Sequence, residues 1–256
     1  MLIGTGTRIA EVAARQRRGI SLQKIYSKYN WRNMWSGENG TDDGTTLTAI
    51  DYTGNDHLSN PALTNKPTLT YLNGKGAVQY DGVDDYLIKS VTNWRKTDTE
   101  GQVIAVIRTP SSWTGLAETV FATNSSSRDD VKAAFYLKSG ELQFVVQDVP
   151  SAGFNNHFSF GTVATDTNYI VTIKSNGTSY EFTLNGVVQT ITVIAGANDG
   201  KWLSSIISNT NQIAAGALIQ PTARYGAVTV GFTGYAPSAE PTLDIVNDLN
   251  SYYQVF

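Results

Sequence analysis

Hairpin punctuation limits the fold open to this chain more than any other feature. QVIAVIRT (102–109), AAFYLK (133–138), ELQFVVQ (141–147), NYIVTIKS (168–175), SYEFTLN (179–185) and VVQTITVI (187–194) are short runs rich in β-branched and aromatic residues. Lys-Ser-Gly at 138–140, Ser-Asn-Gly at 175–177 and Asn-Gly at 185–186 separate them, and Gly and Asn accept the positive φ that tight hairpins need. Successive hairpins build antiparallel sheets. Strands at this spacing over some 200 residues, without helices between them, exclude a doubly wound sheet and predict a β-sandwich.

Helices are expected only at the two ends. TRIAEVAARQRRG (7–19) reads as a short helix capped by Thr7, with Ile9, Val12 and Ala13 on one side, Arg17 and Arg18 at the negative end of its dipole and Gly19 as its stop. SLQKIYSKYNWRNMW (21–35) leaves two readings open, a second helical turn or an extended arm pinned by aromatics. At the far end, SAEPTLDIVNDLNSYY (238–253) repeats Leu243, Val246, Leu249 and Tyr253 at helical spacing, which predicts a helix lying against an edge or end of the sandwich.

Charge divides the chain in the same place. Residues 1–30 carry six Lys/Arg against one acid, Glu11, whereas the remainder is net acidic, and the whole chain is −3. We therefore read 1–30 as a basic anchoring arm and 31–256 as one sandwich domain. At 256 residues and 41% hydrophobic content the chain can bury such a core. It has no cysteine, so disulfides, thiolate metal sites and thiol nucleophiles are excluded. No run approaches the roughly 18 apolar residues of a membrane span, and MLIGTGTRIAEVAARQRRG has no signal-peptide core.

DYTGNDHLSN (51–60) and KPTLTYLNGKGAVQYDGVDDYL (66–87), followed downstream by NYIVTIKSNGTSYEFTLNGVV and RYGAVTVGFTGYAPSAEPTLDIVNDLNSYY, resemble the laminin G-like members of the concanavalin A-like lectin/glucanase superfamily. The resemblance runs from about residue 50 to 253. It implies an all-β, two-sheet antiparallel jelly-roll sandwich, with Asp81, Gly82, Asp84 and Asp85 as a fold-signature turn. In that turn Asp81 and Asp84 hold backbone amides, Gly82 supplies the unusual angle, and Val83, Tyr86 and Ile88 are candidates for the neighbouring packing. The superfamily holds lectins, glycanases and adhesion modules, and fold alone does not choose among them.

Catalytic motifs are scarce. The superfamily's glycanase strand motif Glu-x-Asp-x-Glu is missing, since the seven Glu, at 11, 38, 100, 118, 141, 181 and 240, form no such strand. Gly-x-Ser-x-Gly does not occur. GTGT (4–7) lacks the strand and the Gly-Lys-Ser/Thr ending of a phosphate loop. His57 and His157 are too far apart in sequence to suggest zinc. Calcium is the one cation with available oxygens, in GENGTDDGTT (37–46), but a solvated acidic turn explains Asp42 and Asp43 without it. No cofactor is expected, and calcium, at 37–46 or at Asp81, Asp84 and Asp85, is the alternative to plain acidic turns.

Sugar binding asks for less: an aromatic platform and a few amides. Trp113, Asn155, Asn156, His157 and Trp202 are the candidates, with Trp94, Tyr136 and Phe154 as further aromatics. Arg8, Ile9, Val12, Arg15, Arg17 and Arg18 are the candidates for docking to a partner protein or a second copy; nucleic acid is not favoured by so small a basic footprint. The resulting expectation is a non-enzymatic structural or adhesive module of a larger assembly, a bacteriophage virion protein (capsid decoration or tail/fibre-associated) made in the host cytoplasm, anchored by its arm and displaying a jelly roll that touches glycans. The alternative is a free-standing carbohydrate-binding lectin. A glycan-cleaving enzyme is the third reading.

Overall fold

The computed structural model describes residues 20–54, 56–218 and 224–256. Two large antiparallel sheets face one another. The smaller is ordered Val187–Val188, Tyr180–Leu184, Asn168–Ser175, Gly101–Arg108, Thr229–Ala236, Lys75–Gln79 and Thr68–Leu72, with Asn33–Ser36 also pairing to Thr229–Ala236. The larger runs Ile191–Ala195, Phe154–Thr162, Glu141–Asp148, Val131–Lys138, Ala117–Asn124, Gln212–Ala215, Leu87–Ser90, Leu58–Ser59, Leu47–Ala49 and Thr41–Asp42.

The hairpins form where turn chemistry placed them. Ser139 and Gly140 have φ of 52° and 84°, and Asn185 and Gly186 have 51° and 78°, the paired left-handed residues of a two-residue hairpin turn. One strand expectation is corrected. The run 187–194 is two strands: Val187–Val188 closes the edge of the smaller sheet and Ile191–Ala195 the edge of the larger. The chain crosses between sheets at Gln189 and Thr190, after the Gln189 amide bonds back to the Phe182 carbonyl at 2.9 Å. Alternation of side chains cannot register such a crossing, because both halves keep the same period.

Alternate residues of each strand fill the space between the sheets. Ala105, Ile107, Val171, Ile173 and Phe182 of the smaller sheet meet Phe121, Phe135, Leu137, Leu142, Phe144, Phe158 and Phe160 of the larger. Phe160 and Phe182 stack across the interface with ring centroids 4.1 Å apart.

The opposite face of the smaller sheet is covered by both helices. α1 (Leu22–Lys28) is capped by Ser21, whose hydroxyl accepts from the Lys24 amide at 3.2 Å. α2 (Thr242–Tyr253) buries Ile245, Val246, Leu249, Tyr252 and Tyr253 against Ile104, Val106, Ile170 and Phe232, together with Leu22 and Ile25 of α1. Lys28 and Tyr29 both reach Asp248, at 2.6 and 2.5 Å, which ties the helices together.

Three expectations change here. α2 lies across a sheet face, not at an edge or end of the sandwich. Of the residues expected to face inward, Val246, Leu249 and Tyr253 are buried, whereas Leu243 is 57% exposed and Ile245 and Tyr252 join the buried side. The stretch 21–35, open between a helical turn and an extended arm, is a helix followed by a strand, and Leu22, Ile25, Tyr29 and Trp31 pack with α2 on the outer face of the smaller sheet, so residues 20–30 lie against the domain. Arg8, Ile9, Val12, Arg15, Arg17 and Arg18 lie outside the described residues.

DYTGND earns its place in the fold through Asp51. This carboxylate, 1% exposed, accepts from Asn33 Nδ2 (2.8 Å), the amides of Met34 (2.9 Å), Thr53 (3.0 Å) and Asp56 (3.2 Å), and the Thr53 hydroxyl (2.6 Å). It pins the strand Asn33–Ser36 to the following loop. His57 completes the turn by accepting the Asp51 amide at Nδ1, 3.0 Å away.

Candidate functional site

Among the described residues, one outer face lies under the helices and the outer face of the larger sheet stays broadly open. Val131, Ala133, Phe135 and Leu137 belong to the core, so alternation puts Lys132, Ala134, Tyr136 and Lys138 on the outside. Register sets Gln143 beside Tyr136, Gln147 beside Lys132 and Asn155 beside Gln147, while Val145 lies between Ala134 and His157. Polar and aromatic side chains thus form neighbouring rows across three strands.

A short ribbon, Ala217–Leu218 paired with Arg224–Tyr225, leans over this face. Leu218 packs with Ala117, Ala122, Ala134, Tyr136 and Val145. Gly226 allows the approach, because a Cβ there would overlap the backbone of Thr119. Glu118, 1% exposed, fastens the base: one carboxylate oxygen accepts from the Thr114 hydroxyl at 2.5 Å and the other from the Ala227 amide at 2.6 Å.

Between ribbon, sheet and the 81–85 turn lies a cleft of about 560 Å³. Tyr136, Lys138, Arg224 and Tyr225 supply its aromatic and cationic side, and Val83 and Leu116, 70% and 67% exposed, its apolar rim. No Asp or Glu lines it among the described residues. Tyr225 is braced by Tyr86, with ring centroids 6.0 Å apart. The Tyr136 hydroxyl lies 2.7 Å from His157 Nε2, which is also 3.1 Å from Gln143 Oε1. Burial, aided by Lys138 and Lys132, holds the His157 imidazole below its ordinary pKa, so it is neutral at pH 7. Burial pushes the Tyr136 phenol up to about 12 against the pull of Arg224. Both groups therefore act as uncharged hydrogen-bonding partners.

The expected glycan residues separate under this geometry. His157 and the exposed Asn155 lie on the outer face. Trp202 does not: it is 2% exposed, stacked on Tyr235, and its Nε1 donates to the Tyr235 hydroxyl at 3.0 Å. Asn156 is also turned inward, with Nδ2 donating to Asp199 at 2.6 Å and Oδ1 accepting from Ala197 at 3.1 Å, so it anchors a loop. Trp113 is half-buried against the main core. Trp94 and Phe154 are core residues as well. Sequence reasoning missed Lys132, Lys138, Gln143, Arg224 and Tyr225. The first three could have been found by reading VKAAFYLK and ELQFVVQD as alternating faces, but nothing in RYG marks Arg224 and Tyr225.

The acidic stretches are turns. Asp81 Oδ1 accepts from the amides of Val83 (2.8 Å), Asp84 (3.2 Å) and Asp85 (3.2 Å), and Gly82 takes φ 77°. The second holding carboxylate is Asp85, whose Oδ2 accepts from the Asp81 amide at 3.2 Å; Asp84 contributes its carbonyl, to Asn65 at 3.0 Å. Asp84 was expected in that role, but the chain's reversal aims Asp85 back at the turn. Val83 projects into the rim of the cleft and packs on nothing in the core. In 37–46, Asp43 takes Thr45 and Thr46 amides at 2.9 and 2.7 Å, and Asp42 pairs with Lys66 at 2.7 Å.

No family model and no curated protein matches the chain. Solved structures do. Leech intramolecular trans-sialidase superposes with a TM-score of 0.52 at 14% identity, over 67% of this chain and 26% of its own. The likeness is one of fold. The CBM40 domain of Ruminococcus gnavus IT-sialidase, bound to α2,3-sialyllactose, gives 0.53 at 12% identity over 67% of this chain and 94% of its own. Trypanosoma rangeli sialidase gives 0.62 at 10% identity over 87% of this chain and 33% of its own. This chain thus spans about a third or less of the two sialidases but corresponds to nearly the whole of the CBM40 domain. What the laminin G-like resemblance implied holds at the level of a two-sheet antiparallel jelly-roll sandwich.

Proposed function

We propose that this chain is a non-catalytic carbohydrate-binding module that takes a saccharide in the cleft on the outer face of its larger sheet. The observation that carries the reading is the cleft itself: the half-buried Tyr225 stands beside a held Tyr136–His157–Gln143 network, in which Tyr136 is 6% exposed, on the broad face left open by the helices among the described residues. Aromatic rings receive the apolar face of a pyranose, and fixed amides and hydroxyls read its ring oxygens. The fold likeness to a CBM40 domain crystallised with a sialyllactose supports it.

Binding is favoured over cleavage because hydrolysis of a glycosidic bond ordinarily uses two facing carboxylates. The cleft has none among the described residues. The free-standing lectin is accordingly preferred to the virion module, for which no feature of the described residues speaks. A glycan array followed by titration calorimetry tests this: saturable binding should appear, and Tyr225→Ala should weaken it by about tenfold. Absence of saturable binding to any glycan, or full affinity in Tyr225→Ala, would refute it.

A further inference from the structure

We propose that the saccharide is an anionic one, its charged group held by Arg224 and Lys138 over Tyr136. The inference rests on the carbohydrate reading above and names the class of ligand. Arg224 and Lys138 are both exposed and both line the cleft, and neither forms an ion pair among the described residues. Lys132 lies on the same strand face and is 6% exposed; its Nζ is satisfied by the neutral carbonyl of Asp129, at 2.5 Å.

None of the nearby carboxylates lines the cleft among the described residues. Asp130 pairs with Arg128 at 3.0 Å. Glu141, opposite Lys138 in the hairpin, accepts from Gln143 Nε2 at 3.4 Å. Asp81 is used by its own turn, and only Gly82 and Val83 of that turn line the cleft. In the cleft of about 340 Å³ beside Tyr71 and Asp81, by contrast, Arg108 is already paired with Asp166 at 2.8 Å.

Three cationic groups share this surface, and Arg224 acts on Lys132 against the opposite pull of Asp129 and Asp130. The Lys132 ammonium is pulled down to about 8, by burial first and then by Arg224. An anion seated between Arg224 and Lys138 offsets the repulsion from Arg224. The planar guanidinium can grip a carboxylate or sulfate with two parallel hydrogen bonds while the ammonium adds a point charge. Tyr136 and Tyr225 then lie beside the sugar ring that carries the group. The cationic groups select the charge, and the aromatic groups select a saccharide over a bare ion.

The test compares carboxylated and sulfated glycans from the array with their carboxyl-reduced or desulfated counterparts by calorimetry. Acidic glycans should bind at least about tenfold more tightly than their neutral counterparts, and higher salt should narrow the gap. The double variant Arg224→Gln/Lys138→Gln, altered only at exposed positions, should lose the preference while retaining the wild-type melting temperature. The carboxylated and sulfated arms show which anion is read. Neutral glycans bound as tightly as acidic ones, or a preference untouched in the double variant, would overturn the anionic assignment and leave the carbohydrate reading standing. No binding in any arm defeats both.

Discussion

Removing the Asp51 carboxylate should destabilise the domain by more than any surface substitution. Five hydrogen bonds converge on it, and two of the donors, Asn33 Nδ2 and the Met34 amide, belong to residues that are 0% exposed. In Asp51→Ala the Met34 amide loses its acceptor where water cannot readily replace it, and Asn33 Nδ2 keeps only Asp56, at about 1–3 kcal/mol each. The three donors on Thr53 and Asp56 are partly solvated and add only some tenths each, so the total is about 3–6 kcal/mol. Against the 5–15 kcal/mol typical of a domain, that is a large share. Urea unfolding followed by tryptophan fluorescence is the assay, because Trp35 Nε1 donates to the Asp56 carbonyl at 2.6 Å and reports on this loop. With a slope near 3 kcal/mol per molar, the midpoint should fall by about 1–2 M. Asp51→Asn keeps one acceptor oxygen but turns an amide toward donors, and should fall roughly halfway. A loss below about 1 kcal/mol in Asp51→Ala would refute the idea that this carboxylate organises the segment.

Asp85 is raised from 3.8 to about 6 by burial first and by the charges of Asp81 and Asp84. A native state that holds this proton more tightly than the unfolded chain loses stability as pH rises from about 4 to about 6, so Asp85→Asn should melt higher than wild type near pH 7 and equal it near pH 4. Gly226→Ala should push the ribbon off Thr119 and lower both melting temperature and glycan affinity. Tyr136→Phe removes the hydroxyl that meets His157 and should weaken glycan binding while changing melting little, since His157 keeps Gln143. Trp202→Ala should cost about 3–5 kcal/mol of stability, seen in urea, because the indole is core; a folded Trp202→Phe should bind glycan as wild type does.

Local rules made most of the architecture legible. Ser139–Gly140 and Asn185–Gly186 fix hairpins by backbone angle, and the strands 141–148 and 168–175 follow from runs of β-branched and aromatic residues between turns; both are properties of adjacent residues. The exposure of Leu243 and the crossing at Gln189 escaped, because a short apolar spacing does not fix where a buried face ends and a strand's period does not name its sheet. At the site, Trp202 drew attention as an aromatic yet lies in the core, while Lys138 and Arg224 drew none.

The sequence by itself determined that this chain is an antiparallel sandwich, that QYDGVDDYL is a turn whose carboxylates hold amides, and that no familiar catalytic motif is written in it. Tertiary structure alone decided which outer face is covered, and that Tyr136 of one hairpin, Tyr225 and Arg224 of a distant ribbon, and Val83 of the acidic turn share a cleft. The physical reason is range. Turn angles and strand alternation act over a few residues, whereas a binding surface is made by side chains some 140 positions apart, brought together only when two sheets and two helices have settled which faces they bury.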